Sequence, residues 1–253
     1  MKKIILLLAL VTLTSCSSMI RSPQSRMISP EAQGKFLAGS VEGRLTEAKG
    51  DNFEFDGNNP KKPISSTSQS YKVGFMADVG LLERLDVVYL DYLSGATVGV
   101  YGLKFQILGE SRQKSKEGNF SLSVVGAYGK NSQSQKDNEL NDWTTNVDKI
   151  NYKLEHHEFG LIAGYRWATK LLHYANAYYF HDNLHGKVTT DNNVLQDAKF
   201  QGTQDGMIYS MGLSYDLGAN WYIKGDLSHM DSAWNSFRKT SNNSLNSALG
   251  WSW

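Results

Sequence analysis

The sequence predicts an all-β chain: an antiparallel, up-and-down transmembrane β-barrel of about ten strands. Three observations predict it. Apolar residues recur at every second position through most of the chain, the period of a strand with two unlike faces. All four prolines, Pro23, Pro30, Pro60 and Pro63, fall before residue 64, so the remainder is free of the one residue that cannot donate to a β-ladder. The connections between the predicted strands are alternately long and short, as in barrels with long outer loops and tight inner turns.

The chain opens on a processing signal. Met1-Lys2-Lys3, the apolar run from Ile4 to Val11 and then Leu13-Thr14-Ser15-Cys16 give a basic start, a greasy core and small residues before a cut, so residues 1–15 are predicted to be removed. The run is too short for a membrane-spanning helix, which needs about 20 apolar residues. Residues 16–34 are polar, hold two prolines and show no period. They read as a tether leading to a barrel over residues 35–253.

The first strand, 36–46, places Leu37, Gly39, Val41, Gly43 and Leu45 on one face and Ser40, Glu42 and Arg44 on the other. The second alternates through Tyr71, Val73, Phe75, Ala77, Val79 and Leu81. Apolar faces recur at Tyr101 to Ile107, Phe120 to Val124, Phe159 to Trp167, Met207 to Tyr215, Trp221 to Leu227 and Leu245 to Trp253. Segments 85–93 and 171–180 are strand-like, with their phase left open.

With the first strand leaving the periplasm, connections 47–70, 94–97, 129–149, 181–206 and 232–244 lie outside, and four of these five are long and polar. The inner connections are 82–84, 109–119, 168–170 and 218–220, three of them tight. Trp167, Trp221, Trp251 and Trp253, four of six tryptophans, fall at the inner rim, the expected place of an aromatic girdle.

If the apolar faces meet lipid, the lumen receives Glu42, Asp78, Glu158, Asp216 and Asp226 with Arg44, Lys72, Lys104, Arg166 and Lys224. That balance predicts a cross-linked interior and not a ring of one sign selecting ions. Five of six histidines, His156, His157, His181, His185 and His229, gather towards the outer rim. They stand near Glu155, Glu158, Asp182 and Asp231. Imidazole beside carboxylate can serve a base or a metal, although His181 and His185 are expected in a loop, where their spacing of four carries no metal signal. Trp143, Trp234 and Phe237 in the outer loops could meet a partner.

Without Lys2 and Lys3 the 26 basic residues become 24 against 25 acidic, which argues against nucleic acid as a partner. The single cysteine excludes a disulfide framework. No phosphate loop, dinucleotide fingerprint or nucleophile elbow is present, and no cofactor or metal is expected.

Leu13-Thr14-Ser15-Cys16 resembles the bacterial lipobox, which implies diacylation of Cys16. Ser17, where the family's inner-membrane retention signal has Asp, implies the outer membrane of a Gram-negative bacterium. Asn246 to Trp253 resembles the terminal targeting strand of outer-membrane β-barrel proteins, ending in an aromatic, with Ala248 where that pattern favours glycine. It implies recognition by the outer-membrane insertion machinery. Omptin proteases and lipid A deacylases keep catalytic histidines near this rim, yet neither family's pattern aligns here. The expectation is a lipid-anchored outer-membrane barrel with a structural or surface-interaction role, contacting membrane lipid and either lipopolysaccharide or a surface protein. A surface hydrolase or lipid-modifying enzyme and a narrow channel are the alternatives.

Overall fold

A computed structural model of the chain describes residues 19–21, 26–55, 63–92, 99–136, 149–189, 198–234 and 239–253. The predicted signal, Cys16, Trp143 and Phe237 lie outside the described residues. A short strand, β1 (Met19–Arg21), precedes ten long ones. These are β2 (Gly39–Phe55), β3 (Pro63–Leu82), β4 (Leu85–Tyr92), β5 (Val100–Leu108) and β6 (Phe120–Lys136), followed by β7 (Lys149–Ala168), β8 (Leu171–Thr189), β9 (Ala198–Gly218), β10 (Trp221–Trp234) and β11 (Lys239–Ser252). No helix occurs among the described residues.

Strands β2 to β11 pair antiparallel with their neighbours in sequence, and β11 pairs with β2, closing a ten-stranded barrel. Closure matters because an unpaired strand edge in hydrocarbon costs several kcal/mol per polar group. Three connections at one end are two-residue turns, 83–84, 169–170 and 219–220. Ala219 and Asn220 both take positive φ, 48° and 69°, as a primed turn matching strand twist requires.

The alternation separates two surfaces. On β9, Tyr209, Met211, Leu213, Tyr215 and Leu217 are exposed, while Ile208, Ser210 and Ser214, at alternate positions, are buried in the lumen. The run from Tyr209 to Leu217 covers about 27 Å of strand, or about 21 Å across the membrane at ~40° tilt, close to the height of an apolar transmembrane band. Neighbouring strands continue it through Phe159 and Leu161, Leu103 and Phe105, Ile223 and Leu227, and Leu245 and Leu249, all exposed. Leu213→Arg should therefore destabilise the barrel by about 2–4 kcal/mol. Gln201→Arg, on the same face of β9 but beyond the band, should stay within about 0.5 kcal/mol. Urea unfolding followed on gels checks this, and equal effects would count against the band.

The strands are longer than the sequence analysis expected. Segments read as outer loops around 47–70, 129–149, 181–206 and 232–244 continue as paired strand beyond the band, with Gly129 opposite His156, Lys136 opposite Lys149 and His185 opposite Gln201. A polar wall thus stands on the loop side of the membrane.

The lumen is filled. Met76, Val88, Leu90, Val125, Ile162, Tyr178, Phe180, Ile208 and Met230 form an apolar layer across it. Tyr178 lies against Gly160, its direct partner on β7, and a Cβ there would run into the ring. The fourth inner connection, 109–119, folds over the turn end: Arg112 lies 4.4 Å from the centre of the Tyr222 ring and 3.5 Å from Asp216. Lys114 of this connection hydrogen-bonds the Glu83 carboxylate across the rim, holding the Glu83 pKa below and the Lys114 pKa above their ordinary values.

Candidate functional site inside the barrel

Residues 26–33, expected in the tether, run down inside the barrel and are almost fully buried. Their bonds descend the wall in order. Arg26 Nη2 lies 2.5 Å from Glu158 Oε2 on β7, and its carbonyl accepts from Arg44 Nη1 at 2.7 Å. The Met27 carbonyl accepts from Lys224 Nζ at 3.0 Å, and the Pro30 carbonyl accepts from the Ser123 hydroxyl. Glu31 meets Arg166 Nη2 at 2.5 Å and its carbonyl accepts from Lys104. Ala32 N donates to Gln106 Oε1 at 2.7 Å and Gln33 N to Asp86 Oδ2 at 3.0 Å. Gly34, at φ +85°, then turns the chain out against Ser111, leaving no room for a Cβ.

Charges on this strap and on the wall answer each other. Towards the turn end, Lys104 Nζ sits 2.7 Å from Asp78 and 2.9 Å from Asp86, all three fully or almost fully buried. Beside them Glu42 holds Lys224 and Arg44 together and accepts from Tyr222 at 2.9 Å. Of the ten charges predicted for the lumen, nine are buried there, and Asp216 lies at the half-exposed rim. The sequence analysis missed Asp86, whose strand had no readable phase, and Arg26 and Glu31, whose segment has no period; it placed Asp182 in an outer loop beside the rim histidines, whereas the residue is buried in the lumen on β8.

The predicted rim histidines do not form one cluster. His156 is buried in the lumen, with Nδ1 2.6 Å from Asp182 Oδ1 and Nε2 3.0 Å from Glu158 and 3.1 Å from Arg26. Its ring also stacks on Phe180 at 5.9 Å. The other four point outward. His157 lies against Tyr128 at 5.0 Å. His181 hydrogen-bonds Asp205 at 2.7 Å, with Tyr179 donating to the same carboxylate at 2.5 Å. His229 bonds Asn243 at 2.7 Å and Asp231 at 3.2 Å. His185 stands exposed opposite Gln201. His181 and His185, expected in a loop, are in strand β8.

The Asp182–His156 pair has the geometry of an orienting acid and a base, but the working nitrogen faces Glu158 and Arg26. Through these bonds the group fastens Arg26 of the strap to β7 and β8. Among the described residues no group of three His, Cys, Asp or Glu is arranged to hold a metal ion. The tryptophans Trp167, Trp221, Trp251 and Trp253 are all exposed at the turn end. Trp251 and Trp253 stack at 5.5 Å, and Trp253 Nε1 donates to the Leu37 carbonyl at 2.9 Å.

A closed antiparallel barrel with an apolar outer band, tight turns at one end and a polar wall at the other defines a bacterial outer-membrane β-barrel protein. No protein-family model and no curated protein sequence matches the chain. Its fold is similar to solved barrels. These include Ail, the attachment invasion locus protein of Yersinia pestis, at 10% identity over 87% of this chain and 100% of that one, with a TM-score of 0.39. The outer membrane protease OmpT from Escherichia coli matches at 9% identity over 85% of this chain and 97% of that one, TM-score 0.48. Neisserial surface protein A matches at 12% over 84% and 96%, TM-score 0.36.

Proposed function

We propose that the protein is a lipid-anchored outer-membrane barrel that works by its outer surface, as a structural or surface-interaction protein, and not by conduction. The observation that carries this reading is the filled lumen: residues 26–33 run inside the barrel, through the apolar layer, with Ile28 at 2% exposure among Met76, Ile162 and Tyr178. A wall raised beyond the membrane is then the part of the molecule that meets anything outside. Acylation at Cys16 supplies the anchor, and Trp167, Trp221, Trp251 and Trp253 serve as the inner girdle.

Lipopolysaccharide fits the chemistry of the wall. Lys187 and Lys199 are direct cross-strand partners, both exposed, with His185 exposed beside them and with Lys130 and Lys153 on nearby strands sharing the single carboxylate of Glu155, at 3.9 and 2.6 Å. The test is planar-bilayer recording of the purified protein. Silent traces are expected, and discrete conductance steps would replace this reading with the channel. Retention of labelled lipopolysaccharide by the same preparation is expected, and its absence would remove that partner.

A further inference from the structure

We infer that the N-terminal segment enters the barrel from the loop side, so that Cys16, with the lipid proposed for it, lies at the cell surface and not on the periplasmic side. The inference rests on the acylation reading only for the lipid; the direction of the chain rests on geometry.

Three features set that direction. First, β1 pairs antiparallel with β2 at Met19↔Phe53 and Arg21↔Asp51. This is the loop-side end of β2, beyond Ala48, where pairing with β11 stops. The chain therefore reaches the barrel above the seam between its first and last long strands, running towards the turn end. Second, the partners of residues 26–33 follow one another down the wall, from Glu158 to Arg166 on β7, about 27 Å of strand. Third, the charges suit only this direction: Arg26 meets Glu158 in the upper lumen and Glu31 meets Arg166 near the turns. Reversal would set cation against cation and acid against acid in a buried space, where each unpaired ion costs several kcal/mol.

A periplasmic Cys16 would need the chain to pass the lumen a second time. The apolar layer and the strap already fill it, with Ile162 and Tyr178 at 0% exposure. Cys16 precedes Met19 by three residues, a reach of about 10 Å, too short to return through the membrane. No acyl chain has to be drawn through the pore, because a barrel that seals at the β2–β11 seam can close around a segment lying beside that seam.

Cysteine labelling in the full-length protein tests this. Acylated Cys16 leaves the wild type without a free thiol, since it is the only cysteine. Ser22→Cys and, separately, Ser18→Cys should react with a membrane-impermeant maleimide on intact cells to the same extent as in lysed cells. Thr169→Cys, in a turn at the opposite end, should react only after lysis. Heat-modifiability on gels confirms that each variant is folded. Folded Ser22→Cys or Ser18→Cys that reacts only after lysis overturns the inference. Incorporation of a palmitate analogue into wild type and not Cys16→Ala tests the lipid separately: surface labelling without acylation supports the path of the chain and removes the anchor alone.

Discussion

Deleting residues 249–253 is expected to leave no folded barrel. Leu249, Gly250, Trp251 and Ser252 pair with Gly43, Glu42, Val41 and Ser40 on one side, and Leu249 to Trp251 pair with Ile223 to Trp221 on the other. Their loss would open the lower seam on both neighbours within the apolar band, where unpaired backbone groups cost several kcal/mol each. It would also take the Trp253 bond to the Leu37 carbonyl, which ties the end of the barrel to the point where the strap turns out. The expected readout is loss of the heat-modifiable band and accumulation of unfolded chain in the periplasm. Trp253→Ser should slow assembly without abolishing it, because every backbone pair of β11 survives. A truncated protein with wild-type heat-modifiability would refute both the closing and the targeting role of this segment.

Lys104→Ala is expected to cost about 3–5 kcal/mol, the range for removing one partner of a buried ion pair. Lys104 has no exposed surface and holds Asp78, Asp86 and the Glu31 carbonyl together. Without it two carboxylates face each other in a site with no solvent. The triple variant Lys104→Met, Asp78→Asn, Asp86→Asn removes all three charges and should recover most of the loss. Urea midpoints of purified protein measure both, and a single variant within about 1 kcal/mol of wild type would show that the cluster contributes little to holding the barrel.

The lower half of each strand was legible because the two faces meet unlike surroundings, lipid outside and a hydrogen-bonded interior inside. Trp221, Ile223 and Leu227 against Tyr222, Lys224 and Asp226 is such a contrast. The upper halves were not legible, since beyond the band water lies outside and both faces become polar, as in the Ser, Gln, Asn and Lys of the end of β6. β4 and β8 hid their phase for the opposite reason: Val88, Leu90, Tyr178 and Phe180 face the apolar layer while Val87, Tyr89 and Tyr179 face outward. Apolar residues on both sides erase the alternation. The strap was illegible because it is neither strand nor helix. Its only trace in the sequence is an arginine and a glutamate whose partners lie more than a hundred residues away.

The continuation of strand pairing beyond the lipid also bears on survival outside the cell. Digestive enzymes cleave backbone that can be drawn out as a single unpaired strand. Lys153 and Lys187 are trypsin targets by side chain, yet each lies in a strand bonded on both sides. The palisade that presents these side chains to the medium therefore also withholds their peptide bonds from attack.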